Sequence, residues 1–81
     1  MHCVYILKSE ITGGFYIGYS SNLKRRLTQH NAGQSRYTRH DKPWDLVYCE
    51  VYLREDLARE REKQLKREGQ AWVSLKKRAG L

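Results

Sequence analysis

From Cys3 to Leu7 every residue is apolar or aromatic. A run this short reads as a central strand covered on both faces. Lys8 to Gly14 breaks the pattern and closes on two glycines, which accept the positive φ of a tight turn. Phe15, Ile17 and Tyr19 then alternate with Tyr16 and Gly18, so Phe15 to Tyr19 is predicted to return as the second strand of a hairpin. A register that sets Tyr5 opposite Tyr16 would send both hydroxyls off one face of the sheet.

Ser20, Ser21 and Asn22 offer side-chain oxygens to the first N–H groups of a helix, and Asn31-Ala32-Gly33 is its stop signal. Gln34 to Lys42 is a polar loop. After Pro43 and Trp44, a third strand is predicted over Leu46 to Leu53, with Val47, Cys49, Val51 and Leu53 facing a core. Glu55 to Glu68 reads as a helix with an acidic first turn and an apolar stripe of Leu57, Ala58 and Leu65, with the stem of Arg61 along its edge. Gln70 to Ala79 reads as a last helix, with Trp72, Leu75 and Ala79 on one side. The expected fold is α+β: a small three-stranded antiparallel sheet flanked by helices, in the order β-β-α-β-α-α, forming one domain over residues 1–81.

Composition narrows the function. The 81 residues carry 16 Lys and Arg against 9 Asp and Glu, a formal charge of +7. For so small a domain that favours a polyanionic partner, most simply nucleic acid. No apolar run is long enough to cross a membrane, and Met1-His2-Cys3 leads straight into a strand, so neither a membrane nor secretion is expected and the chain is placed in the cytoplasm. Cys3 and Cys49 fall in strand-like runs and are expected to be buried free thiols; no Cys/His spacing suggests zinc.

The chemistry concentrates on the first helix. Leu23 and Leu27 mark its buried face. At roughly 100° per residue, His30 falls near the centre of that face and Arg26 on its border, whereas Lys24, Arg25, Thr28 and Gln29 point away. On the helix alone, an arginine stem lying over the core and a structural histidine explain this equally well. In the following loop, Arg36, Arg39, His40 and Lys42 surround Tyr37, a mixture able to bind phosphates and stack on a base, although a solvated loop would look the same. On the second helix, periodicity alone leaves both Glu62 and Glu68 as candidates for an inward carboxylate.

Taken together, Val4-Tyr5, Tyr16-Ile17-Gly18, Asn22-Leu23-x-x-Arg26-Leu27-x-x-His30 and Ala58-x-x-x-Glu62-x-x-Leu65-Lys66 resemble the GIY-YIG endonuclease domain, and within it the small stand-alone bacterial proteins. Tyr37-Thr38 and Pro43-Trp44-x-Leu46-Val47-Tyr48 resemble that subgroup too. The first motif departs from the pattern, with Cys3 where the family has glycine and Val4 where it has isoleucine. The resemblance implies metal-dependent hydrolysis of a DNA phosphodiester at a single site. An 81-residue domain offers no second site, so it is expected to nick one strand per visit, as a monomer acting on branched or damaged DNA. The resemblance places Tyr5 and Tyr16 at the attacking water without choosing between them, and Arg26 at the phosphate. It gives His30 to proton transfer or to holding a tyrosine. It selects Glu62 as ligand of one divalent cation, Mg²⁺ or Mn²⁺. Lys24, Arg25, Arg36, Tyr37, Arg39 and Lys42 are the expected nucleic-acid contacts. The competing expectation is a module of the same fold that binds nucleic acid with little turnover. A bare Gly18 is expected to leave the floor of the site open to a backbone phosphate.

Overall fold

The computed structural model describes residues 1–67 and 69–81. Its elements follow the predicted order: β1 (His2–Ser9), β2 (Phe15–Ser20), α1 (Leu23–Asn31), β3 (Trp44–Tyr52), α2 (Glu55–Lys66) and α3 (Gln70–Ala79). The sheet is antiparallel throughout, with strand order β2-β1-β3. β1 is therefore central, and its uniformly apolar run is explained because both faces are covered. Val4 and Ile6 pack with Ala58 and Leu65 of α2 and with Trp72 and Leu75 of α3. Tyr5 and Leu7 point the other way, to Trp44, Tyr16 and the α1 residues Leu23 and Leu27. Each buried leucine or isoleucine is worth about 1.5–3 kcal/mol, and the α2–α3 face, which holds Ile6, Leu65 and Leu75, is the larger of the two apolar clusters.

Several expectations change in the structure. Tyr5 pairs with Gly18, and Tyr16 pairs with Leu7. The hairpin register thus differs by two residues from a direct Tyr5–Tyr16 pair. A shift of two preserves the face, so the rings still meet diagonally, with centroids 6.3 Å apart. β3 begins at Trp44, two residues before the predicted start. Its partner on β1 moves from Tyr48, opposite Ile6, to Leu46, opposite Leu7. Val47 is thus an extra residue, a bulge that reverses the alternation beyond it.

From that bulge onward, Tyr48, Glu50 and Tyr52 lie on the α2 side, while Cys49, Val51 and Leu53 are exposed. Their polar ends satisfy one another. Both tyrosine hydroxyls donate to Glu50 at 2.7 Å, and Arg61 donates to the same carboxylate at 2.9 and 3.1 Å. Burial pushes Glu50 up, but the hydrogen bonds from Arg61, Tyr48 and Tyr52 outweigh it and hold the carboxylate below its ordinary range. Arg61 is therefore an ion-pair partner across the core edge, not merely a covering stem. Both cysteines are free, but Cys3 is only half-buried and Cys49 is exposed. Leu57 is also exposed, so the α2 stripe reduces to Ala58 and Leu65. The predicted end of α2 at Glu68 lies outside the described residues.

Gly18 has a different purpose from the expected one. A Cβ at this position would fall inside the Tyr5 ring, against Cζ and Oη. The glycine admits a buried aromatic ring, and the space is taken by Tyr5 instead of being left open to substrate. That ring cannot swing aside without breaking its hydrogen bond to His30. Gly18→Ala is therefore expected to cost about 2 kcal/mol, as overpacking of a tight site does. Urea denaturation measures it, and a variant within about 0.5 kcal/mol of the parent contradicts the packing described.

Candidate active site

α1 is launched by Asn22, whose side-chain oxygen accepts the Arg25 N–H at 3.1 Å, while Ser20 Oγ accepts the Asn22 N–H at 2.9 Å. This fixes the rotation of the helix. Lys24, Arg25 and Thr28 face solvent, as expected; Gln29 is half-buried and accepts a 3.2 Å hydrogen bond from Arg26 Nη1. One turn further on, His30 is completely buried.

The His30 ring joins three parts of the chain. Nε2 shares a 2.9 Å hydrogen bond with the Tyr5 hydroxyl on β1, and Nδ1 shares one of 2.7 Å with Thr38 Oγ1 in the loop. Tyr16 meets the same ring edge-on, at 4.9 Å between centroids. The loop is held in turn by Trp44, whose indole N–H donates to the Thr38 carbonyl at 2.9 Å. Asn31 clamps the Trp44 backbone from α1, accepting its N–H at 2.6 Å and donating to its carbonyl at 3.1 Å. The loop is thus two-sided. Ser35 and Thr38 are buried, while Arg36, Tyr37, Arg39 and Lys42 are exposed, Tyr37 by 82%.

Charge at the site follows from burial. Desolvation, then the neighbouring positive Arg26, pushes His30 down from 6.5 to about 4, so the ring is neutral at pH 7. Burial first, then Tyr16, raises Tyr5 to about 12. Arg26 pulls against this by hydrogen bonding and charge, and Glu62 adds to it. Burial outweighs the arginine, and Tyr5 stays protonated near neutrality. Arg26 on α1 is tied to Gln29, and Glu62 on α2 to Lys66. Of the five expected groups, the structure brings Tyr5, Tyr16 and His30 into direct contact, while Arg26 and Glu62 act on the Tyr5 hydroxyl through their charge.

Residues 1–78 match the family described as the GIY-YIG catalytic domain. The chain belongs to the GIY-YIG family. A UPF0213 protein of Staphylococcus saprophyticus is 36% identical to this GIY-YIG chain over 66 residues, covering 80% of it and 79% of the staphylococcal protein. A protein of Leishmania major named as a structure-specific endonuclease subunit SLX1 homolog is 49% identical over 55 residues, 59% of this chain and 8% of the Leishmania protein. The solution NMR structure of a UPF0213 protein from Bacillus halodurans superposes with a TM-score of 0.55 at 34% identity, covering 93% of this chain and 84% of that one.

Glu62 is the one carboxylate among the five. It is mostly buried, with its side chain 17% exposed, and pairs with Lys66 at 2.9 Å. Among the described residues no group of three or more His, Cys, Asp or Glu side chains gathers to hold a metal. A single carboxylate fits a hard cation that keeps most of its waters and takes further oxygens from a phosphate. Lys66 is half-exposed, and such a pair is worth only about 0–1 kcal/mol, so it does not hold the carboxylate against a divalent ion. Glu68 lies outside the described residues. Thr38 and Trp44 entered the sequence reading only as part of the subgroup resemblance, and Asn31 only as a helix stop signal; none was given a part in the site.

His30 also sets an acid limit. Its folded pKa lies below its unfolded value, so between about 4 and 6.5 the unfolded chain binds the extra proton. Its contribution to stability is complete above that window and is lost as pH falls through it. Denaturant midpoints should therefore drop from pH 7 to pH 4 in the parent, and drop less in His30→Gln. Equal pH slopes in the two proteins would mean that His30 is not held neutral.

Proposed function

We propose that this GIY-YIG chain is a metal-dependent DNA endonuclease that hydrolyses one phosphodiester per encounter, cutting a single strand. The observation that supports the reading is the buried hydrogen bond between Tyr5 and His30 with Tyr16 packed against both rings, beside the Arg26 charge. A phosphodiester under attack gains negative charge on its oxygens, and a guanidinium donating two hydrogen bonds in a partly dry site stabilises that charge. Arg26 is assigned this part. Its tie to Gln29 limits its freedom before substrate arrives.

The two tyrosines divide the remaining work according to burial. Tyr5 is 1% exposed and protonated, so it acts as a fixed hydrogen-bond donor that orients the reacting oxygen. Tyr16 is half-buried, so it is the tyrosine that meets the attacking water. It first gives its own phenolic proton to solvent, and as the phenolate it takes the proton of the water. As the water oxygen bonds to phosphorus, the bond from phosphorus to the leaving oxygen breaks, and the leaving oxygen takes a proton from solvent. His30 is neutral and holds Tyr5 in place. A Mg²⁺ or Mn²⁺ ion held by Glu62 would supply Lewis acidity to the phosphate. The expected positions for the flanking DNA backbone are the exposed Lys24 and Arg25 of α1 and the outer side of the loop, where Arg36, Arg39 and Lys42 surround a Tyr37 free to stack. The relatives' name suggests branched or otherwise deformed DNA as the preferred substrate.

A nicking assay on supercoiled and branched DNA, with Mg²⁺, Mn²⁺ or chelator, tests the reading. Glu62→Gln keeps the shape and removes the charge, so nicking should vanish while metal-free DNA binding is kept. Arg26→Ala should slow turnover by about a hundredfold or more, whereas Arg25→Ala, on the solvent face, should mainly weaken binding. Full activity in Glu62→Gln, or equal effects at residues 25 and 26, contradicts the assignment. DNA binding without nicking under either cation favours the binding module instead.

A further inference from the structure

Tyr5, His30 and Thr38 form one hydrogen-bonded line whose direction is not symmetric. The neutral imidazole carries one ring hydrogen, and each hydroxyl carries one. Three hydrogens therefore serve two hydrogen bonds, and one hydrogen must leave the line at an end. If His30 carries its hydrogen on Nδ1, Tyr5 donates inward to Nε2, and the Thr38 hydrogen must find another acceptor. If the hydrogen is on Nε2, Thr38 donates inward to Nδ1, and the Tyr5 hydrogen points outward.

The two ends differ. Thr38 is 0% exposed, and among the described residues its hydroxyl has no partner besides His30 Nδ1. A buried donor left unpaired there costs about 1–3 kcal/mol. The Tyr5 end lies beside the half-buried Tyr16, with ring centroids 6.3 Å apart, on the side where the proposed function sets the phosphate, whose oxygens accept hydrogen bonds. Trp44 fixes the Thr38 carbonyl and Asn31 fixes Trp44, so the hydroxyl is presented to Nδ1 by a held segment of loop.

We propose that Thr38 is a positioning residue: its hydroxyl donates to His30 Nδ1, fixes the Nε2–H tautomer, and thereby turns the Tyr5 hydroxyl hydrogen out toward the reacting phosphate. His30 is then a donor to Tyr5 and does not take its proton. The inference deepens the proposed nuclease site and rests on it for the phosphate, but the tautomer can be read without substrate or metal.

The test is the long-range ¹H–¹⁵N spectrum of the histidine rings at pH 7, on full-length labelled protein free of DNA and metal. In the parent, His30 should show a protonated Nε2 and a bare Nδ1. Thr38→Val keeps the shape and loses the hydroxyl, so the His30 signals should move to a mixture or to Nδ1–H, and kcat for nicking should fall about tenfold or more while DNA affinity holds. Thr38→Ser retains the hydroxyl and should restore both the ring signature and turnover. A parent ring protonated on Nδ1 overturns the proposal, whether or not Thr38→Val folds. So does an Nε2–H ring that is unchanged in Thr38→Val. A parent that shows the expected tautomer but never nicks DNA supports the directed line and sinks the nuclease reading alone.

Discussion

A histidine ring with no exposed surface needs a partner for each nitrogen, and that requirement organises one face of this protein. His30 is buried on α1, so its partners must come from elsewhere, and they are Tyr5 of β1 and Thr38 of the loop. Each partner imposes a further condition. Tyr5 can reach across β2 only because Gly18 offers no Cβ to meet its ring. Thr38 can face inward only because Trp44 and Asn31 tie the loop down. A loop that composition describes as polar and basic is thus anchored on its inner side, and its cations are turned outward.

The two faces of the sheet have different burdens. Ile6, Leu65 and Leu75 are packed dry on the α2–α3 side, backed by the Glu50–Arg61 pair with its two tyrosines. The α1 side gives up apolar contact to hold a tyrosine, a histidine and a threonine. A small domain has little stability to spare, so the polar site depends on the core behind the same strand. β1 links the two: alternate residues of a single run, Val4 and Ile6 against Tyr5 and Leu7, serve the core and the site respectively.

Much of this was legible in the sequence. The order of elements followed from period, turn residues and caps, because those signals are local. The inward turn of His30 followed from helical spacing after Leu23 and Leu27. The phase of β3 did not, because Val47 inserts a residue that periodicity cannot detect, and the internal residues beyond it are a glutamate and two tyrosines that satisfy each other. The hairpin register was displaced by two, which left the shared face of Tyr5 and Tyr16 intact and only its geometry wrong. Gly18 was read as room for substrate, since a glycine in sequence does not say what fills its missing side chain. Thr38 was quoted but given no role, because its part is non-local: nothing within the loop says that an imidazole lies eight residues back in the chain and directly beneath it.

The most direct measurement is a crystal structure of the chain with nicked or uncleaved DNA and Mn²⁺. A phosphate oxygen or its attacking water should lie within about 3 Å of the Tyr5 hydroxyl, with Arg26 on the same phosphate, Tyr16 beside the water, the cation on Glu62 and the His30–Thr38 hydrogen bond kept. A phosphate engaged only by the outer loop cations, with the Tyr5 hydroxyl turned back to His30 and facing no substrate oxygen, would contradict the reading of this line as the organising element of a nuclease site.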